Sequence, residues 1–474
     1  MANVEKASRL KDVSPEDMTR EQLLIRVRQL EKHVTNLRNV INKSSQDGQV
    51  QDVHGKRKSP RTFDFKQYNT RHVALKITYL GWDYSGYVTQ EETTKTIEAN
   101  LFDALLKTRL IECREESNYH RCGRTDKGVS AFSQVISLDL RTRFHEGKGV
   151  KVSNSLENVN TSVSGDELPY CSMLNRVLPP DIRVLGWCPV DVNFSARFDC
   201  KQRTYKYFFP RAHLDIQLMK IAASKLVGTH DFRNLCKMDV GNRVTQFVRE
   251  IRQVSVNILD DDLQKSEDTN PYTMCEIKII GNAFLWHQIR CIVAILFMVG
   301  EKKEKPEIID ALLDITNNPR KPQYQMASEL PLVLFDCQFE DVDWITDEET
   351  YTKLLRGFER EWTKSAVKTA MIKSLLGELE QLKPVKQEQE ISYHNSHLFA
   401  INLESKSKTH KPLLERQLCE SLEDRIEYHT KKRKYEQELM ASNRATLDDK
   451  SSRTESDTLD SVPIEYNGSK KLTS

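Results

Sequence analysis

The segment richest in reactive side chains is His120-Arg121-Cys122-Gly123-Arg124-Thr125-Asp126-Lys127-Gly128-Val129-Ser130-Ala131-Phe132. It reads as a glycine-bounded loop feeding a strand. Arg121, Arg124 and Lys127 surround one carboxylate, Asp126. Neighbouring cations lower a carboxyl pKa, so Asp126 is expected to be ionised at neutral pH. An ionised Asp in such company serves as a nucleophile or a base. The same residues also fit an ordinary turn with a surface ion pair.

Two further segments carry functional side chains. Phe194-Ser195-Ala196-Arg197-Phe198 is followed by Arg203-Thr204-Tyr205-Lys206-Tyr207. Strand alternation puts Arg203, Tyr205 and Tyr207 on one face. Aromatics stack on exposed bases while cations hold phosphates; a half-buried strand with an aromatic core face is the other reading. Residues 201–252 hold eleven Lys/Arg against four Asp/Glu, a local +7 that favours a phosphate-bearing partner. The third segment, Asn282-Ala283-Phe284-Leu285-Trp286-His287-Gln288-Ile289-Arg290-Cys291, runs from a strand end into an apolar helix. Its one cation, Arg290, either snorkels to solvent or pairs with a carboxylate across a cleft. His287 and Cys291 lie one helical turn apart, but no third His or Cys follows to make a metal site.

Composition limits the classes. The 474 residues carry 71 Lys/Arg and 69 Asp/Glu, a net +2. The longest apolar run, Cys291 to Val299, is far short of the ~20 residues of a membrane span. Ten cysteines without a CxxC pair argue for free thiols in a reducing compartment, cytosol or nucleus, and against zinc of the usual spacing. The N-terminus has no apolar signal region.

The elements that must position these segments mix α and β without βαβ regularity, which predicts an α+β fold with largely antiparallel sheets. Strands are expected at 71–80, 132–140, 182–188, 203–209, 247–258, 272–280 and 331–339. In the second of these, Phe132, Gln134, Ile136, Leu138 and Leu140 share a face, with Ser133, Ser137 and Asp139 mostly opposite. Helices are expected at 96–110, 213–227, 285–300, 305–316, 347–380 and 413–440. Residues 145–169 lack periodicity and read as a mobile surface insertion. Residues 1–62 net +5 and contain a heptad-like seam, Leu23, Val27, Leu30, Val34, Leu37 and Ile41. That seam fits a short coiled coil or an arm helix lying on its own protein. Lys56-Arg57-Lys58-Ser59-Pro60-Arg61 suits nuclear targeting, a phosphate-contacting arm or a solvated linker. The chain therefore divides into a basic arm (1–62), two α/β subdomains (63–190 and 191–345), a helical extension (346–440) and a disordered tail (441–474).

Together the three segments resemble the TruA-type tRNA pseudouridine synthases. The family's R-T-D loop with its following V-x-A matches Arg124 to Ala131. Its F-x-A-R-F and R-x-Y-x-Y match Phe194–Phe198 and Arg203–Tyr207, and its N-A-F-L-x-H-x-x-R matches Asn282–Arg290. The N-terminal Y-x-G-x-x-Y-x-G matches Tyr79, Gly81, Tyr84 and Gly86. The resemblance covers about residues 70–340. Gly228-Thr229-His230-Asp231-Phe232-Arg233-Asn234-Leu235-Cys236-Lys237-Met238-Asp239 is similar to the eukaryotic branch acting at tRNA positions 38 and 39. Arg425-Ile426-Glu427 and Lys431-Lys432-Arg433-Lys434 also fit that branch. Tyr87-Val88-Thr89-Gln90 departs from the F-x-x-Q-x-Q of many bacterial members.

The resemblance implies an isomerase that breaks the uridine N-glycosidic bond, turns the base and rejoins it through C5. It implies no cofactor and no metal. Asp126 would be the nucleophile and Arg290 its ion-pair partner. Tyr205 would pack on the target base and help remove the C5 proton. Arg124 would fill the space left by the flipped nucleotide, and Leu285 would line the pocket. It implies two α/β subdomains around a basic cleft, and a homodimer holding the anticodon arm of tRNA. Nucleus and cytoplasm are the expected locations. A related synthase with other RNA sites, or a catalytically silent tRNA-binding protein on the same fold, are the alternatives.

Overall fold

The computed structural model describes residues 63–153, 165–259, 272–382, 410–435 and 437–438. The heptad seam of the arm, the basic run at 56–61, the centre of the 145–169 segment and the 441–474 tail lie outside them. Met1–Asp64 is a unit of its own; everything below concerns the unit from Phe65 onward.

Among the described residues ten strands form one sheet: β1 (Asn69–Tyr79), β2 (His120–Arg121), β3 (Ser130–Thr142), β4 (Val150–Lys151), β5 (Ile182–Pro189), β6 (Gln202–Pro210), β7 (Gly228–Asp231), β8 (Val248–Ile258), β9 (Met274–Gly281) and β10 (Leu332–Gln338). The order is β4-β1-β3-β10-β6-β9-β8-β7, with β5 beside β1 and β2 beside β3. Every pairing is antiparallel except that of β10 with β3, through Val333 against Ser130 and Leu334 against Ala131. The helices are α1 (Ile97–Lys107), α2 (Tyr170–Asn175), α3 (Ile216–Ser224), α4 (Gln288–Gly300), α5 (Ile308–Leu313) and α6 (Glu348–Gln381), followed by α7 at 422–435. The fold is α+β with a mostly antiparallel sheet.

One sheet supports two cores. The first packs α1, α2, β1, β3 and β5 around Leu75, Ile77, Leu101, Leu105 and Tyr170. The second packs α3, α4 and α5 on β6, β8 and β9 around Phe209, Met219, Ile277, Ile292 and Phe297. Strand β10 feeds both: Leu332 enters the second core, Leu334 and Cys337 the first. Helix α1 starts where Thr96 accepts a hydrogen bond from the Ala99 N–H at 3.2 Å. Helix α4 is apolar almost all round and is buried along its length, as such helices must be.

The alternation expected in β3 is lost because both faces are covered. Ser133, Gln134 and Ser137 are buried, while Phe132 is exposed. Polar groups on the second face are satisfied by chain that lies over it. Ser137 accepts from the Ala196 N–H at 3.1 Å. Asp139 accepts from Lys151 and meets His72, whose other ring nitrogen meets the Phe194 carbonyl. The described flanks of the 145–169 segment are fastened rather than loose. Strand β4 pairs with β1, and Glu167 bonds Arg71 at 3.1 Å and Thr142 at 2.6 Å. Gly149 turns there with φ +78, where an added Cβ would lie 2.4 Å from the Val190 carbonyl oxygen. The helix expected at 413–440 begins only at 422. Before it, Leu413 is buried and the backbone of Gln417 and Cys419 bonds Gln323 and Lys321, so those groups are taken.

Glu98, in the first turn of α1, is buried with no side-chain exposure and anchors the approach to the Asp126 loop. It accepts from Arg114 at 2.9 Å, from Arg121 at 2.8 Å and from the Thr89 N–H at 3.0 Å. Burial would raise its pKa, but the Thr89 N–H and the two guanidinium groups outweigh it and hold the carboxyl below its usual range. A lowered folded-state pKa gives stability that is present above the ordinary carboxyl value and is lost as pH falls through the folded one. Glu98→Ala leaves two guanidinium groups without a carboxylate, so it should cost about 3 kcal/mol in a denaturant titration at pH 7, and less at acid pH.

Candidate active site

A cleft of about 1110 Å³ opens where the Asp126 loop, strand β6 and the start of α4 meet. Its geometry begins with how the loop is held. The Gly81 N–H bonds the Ser130 hydroxyl at 2.9 Å. The Tyr87 N–H bonds the Thr125 carbonyl at 3.1 Å, and the Gly128 N–H bonds the Tyr84 carbonyl at 3.1 Å. The Tyr79 hydroxyl lies 2.8 Å from that of Thr125. On the other side, buried Gln134 bonds both backbone groups of Gly123. Arg203 of β6 donates to the Cys122 carbonyl at 2.9 Å and to that of Asn282, tying the loop to the chain before α4. The tyrosines and glycines at 79–86 thus form the seat of the loop.

Asp126 has a close polar neighbour at each oxygen. Oδ1 accepts from the Trp286 indole N–H at 3.3 Å, and Oδ2 lies 3.3 Å from Nε2 of His287. Burial and the cationic side chains around it, Arg290 and Lys237 first, push the His287 pKa down to about 4. The ring is therefore neutral at pH 7, and its Nε2 faces the carboxylate as a close polar neighbour rather than as an ion-pair partner. Its backbone is left-handed, φ +58, at the residue before α4. That turn is what brings the ring back over the loop.

Two expectations are corrected here. The first is the electrostatics of Asp126. Burial raises its pKa above the usual value; Arg290, the Trp286 N–H and Lys237 pull it back, and Glu329 adds to the rise. The loop's own cations do not decide the matter, because Arg124 and Lys127 are exposed to solvent. The second is the partner of Arg290. Its guanidinium pairs with Glu329 at 2.7 Å and donates to the Ala327 carbonyl at 2.8 Å. Arg290 acts on Asp126 through space, its direct bonds being taken by the 327–329 segment. Two carboxyl groups therefore share the field of one guanidinium.

The other expected residues all line the cleft. Tyr205 stands edge-on to Phe284, ring centroids 5.2 Å apart. Leu285 is buried beneath, and Arg124 is exposed above. The Lys237 ammonium lies 4.3 Å from the centre of the Trp286 ring, which a cation stabilises. Phe198 is 74% exposed, with the Arg197 guanidinium 5.2 Å from its ring. Trp286, Lys237 and Glu329 were not singled out from sequence. The first two sit inside quoted motifs; Glu329 carries no local signal. Cys122, Cys200 and Cys337 also converge beside the loop, from three distant segments with no metal-site spacing.

A family model described as tRNA pseudouridine synthase matches residues 222–340. A human protein named tRNA pseudouridine(38/39) synthase is 48% identical over 429 residues, covering 88% of this chain and 89% of its own. The chain belongs to the tRNA pseudouridine synthases. The synthase is also similar to the tRNA pseudouridine(38/39) synthase of Saccharomyces cerevisiae, 39% identical over 70% of this chain and 74% of the relative. Methanosarcina mazei tRNA pseudouridine synthase A is 31% identical over 58% and 87%. The synthase is thus an isomerase, and its reaction sets what the cleft must do. One C–N glycosidic bond breaks and one C–C bond forms; C5 loses a proton and N1 gains one, so no electrons enter or leave. The span 222–340 takes in Lys237, Trp286, His287, Arg290 and Glu329, the side of the cleft that faces the Asp126 loop.

Proposed function

We propose that the synthase isomerises uridines at positions 38 and 39 of the tRNA anticodon arm, with Asp126 as the nucleophile. The observation that carries the catalytic part is the carboxylate in the cleft, bonded at Oδ1 by the Trp286 N–H and faced at Oδ2 by the neutral His287 ring. One donor without net charge, the Trp286 N–H, orients Asp126 and leaves its charge for the substrate. The names of the human and yeast relatives support the two positions. The target base must leave the helix stack to reach the floor. Tyr205, edge-braced by Phe284, packs on it; Leu285 lines the pocket; Arg124 fills the space the base vacates. Burial raises the Tyr205 phenol above its ordinary pKa, so it meets the base as a neutral phenol, and helping to remove the C5 proton is its second assigned role. Arg290 steadies the charge on Asp126 while Glu329 limits how strongly.

The test maps pseudouridine on an anticodon stem-loop and on full-length tRNA carrying uridine at 38 and 39. Product at those positions supports the reading. Product at other positions moves the specificity, and tight binding without product on either RNA makes the chain a tRNA-binding protein.

A homodimer belongs to the same proposal. Helix α6 exposes Leu355, Phe358, Trp362, Ile372, Leu376 and Leu379 in one heptad register, with Ser365 and Thr369 at the two positions between Trp362 and Ile372. A second α6 is the complementary partner, since the same seam then covers itself under two-fold symmetry. Trp362→Glu with Ile372→Glu should turn the dimer into monomer in sedimentation analysis; an unchanged dimer would move the interface off α6. Presence in both nucleus and cytoplasm is proposed from the basic run at 56–61. Lys56→Ala with Arg57→Ala and Lys58→Ala should then reduce the nuclear share of a tagged chain.

A further inference from the structure

We propose that Cys122, Cys200 and Cys337 form a three-thiolate site for a divalent d10 ion, zinc. All three are buried, and their Sγ atoms lie within 4.8 Å of one another. Sγ of Cys122 and Sγ of Cys337 are 3.3 Å apart. A zinc ion with Zn–S bonds of about 2.3 Å and tetrahedral angles sets sulfurs about 3.8 Å apart. The thiols therefore need only small rotations to enclose one.

Charge favours the divalent ion. Cys337 stands opposite Arg203 in the pairing of β10 with β6. The Arg203 guanidinium also bonds the carbonyl of Cys122 itself at 2.9 Å. Binding releases three thiol protons. Three thiolates, one Zn²⁺ and one guanidinium then sum to zero, which a buried site requires. A monovalent ion would leave one negative charge uncompensated. Cys122 and Cys200 both border the cleft, so a water from it fills the fourth position.

The ion would join three pieces of chain that are far apart in sequence. Cys122 opens the loop that carries Asp126, Cys200 follows the Phe194–Phe198 segment, and Cys337 lies on β10. It would act as a staple beneath the loop, and the inference does not depend on which uridine is the substrate.

The full chain, purified under reducing conditions, freed of metal by a chelator and given Zn²⁺ alone, should retain about one ion per chain by mass spectrometry of the metal. Cys200→Ser should lose it, and Cys171→Ser, at a buried thiol outside the cluster, should keep it. Because a serine variant can misfold, Cd²⁺ on the wild type gives a second reading. Its thiolate charge-transfer band should have the intensity of three Cd–S bonds. Retention below about a tenth of an ion, equal retention in Cys200→Ser, or a cadmium band of one or two thiolates overturns the site. A disulfide between Cys122 and Cys337 that persists in the metal-free chain under the reducing conditions, seen as a mass two hydrogens lower, overturns it as well.

Discussion

Asp126→Asn abolishes pseudouridine formation and leaves the protein folded. Asn keeps the shape and still meets the Trp286 N–H, but it has no negative charge to attack or to stabilise a cationic sugar. Single-turnover rates should fall at least about 10³-fold, as expected when the covalent group itself is removed. Binding of tRNA, which rests on the basic walls, should be nearly unchanged. The effect on stability has a definite sign. Asp126 has a raised folded-state pKa because burial outweighs its donors. Folding therefore favours the protonated form, and the wild type loses stability as pH rises from the ordinary carboxyl value through the folded one. Asn does not titrate, so the variant should melt at the same temperature or higher at pH 7, with the difference vanishing in acid. The same raised value should carry the acid limb of the wild-type rate profile above the usual carboxylate range. A variant that melts lower, or keeps more than a trace of activity, would remove Asp126 from its assigned role.

Gly81→Ala is the second large effect, and it acts from outside the cleft. An added Cβ at Gly81 would sit 1.9 Å from the Val129 carbonyl oxygen and 2.5 Å from its carbon. These are backbone atoms that leave the Asp126 loop and enter β3, so no rotamer relieves the clash. The loop must shift by an ångström or more, and a misplacement of that size costs about 10²-fold in rate. Overpacking at a backbone contact should also cost about 3 kcal/mol in stability. At Gly86 the contacts are 3.2 Å to the Thr125 oxygen and 3.3 Å to the Lys127 nitrogen, with φ +109. Gly86→Ala should therefore fall the same way. Gly123→Ala, with open space around it, is the control that should keep most activity. Equal rates for Gly81→Ala and Gly123→Ala would show that the seat does not position the loop.

Much of the fold was readable because it follows periodicity. The five expected strands from 182 to 339 and the helices near 216, 288 and 348 stand within a few residues of where apolar spacing placed them. Strand β3 was misjudged on its second face, since sequence does not show that the chain around Ala196 would cover Ser137. The helix near 413 was begun too early, since an extended strap pairing with 321–323 has no periodic signal. The site divides the same way. Asp126, Tyr205, Arg290, Leu285 and Arg124 are in dense motifs, and the structure brings them to one cleft. What motifs do not carry is who touches whom. That Trp286 and His287, rather than Arg290, lie against Asp126 depends on a left-handed turn at His287. That Glu329 engages Arg290 depends on a loop with no distinguishing composition. The sum of burial against charge at Asp126 requires knowing that Arg124 and Lys127 face water.

Strand β10 has a consequence for how the enzyme comes into being. It pairs with β3 at Ser130, where the Asp126 loop ends, although Val333 and Ser130 are roughly two hundred residues apart in the chain. It also feeds both cores. Contacts so distant in sequence form slowly and late. During synthesis the N-terminal strands can pair among themselves long before residue 338 leaves the ribosome, yet Ser130 and Ala131, where the loop enters β3, then lack their β10 partners. Catalytic competence therefore waits for β10 to emerge. A translation product cut short before β10 would carry Asp126 and part of the basic wall but no finished cleft, and so would not modify tRNA prematurely.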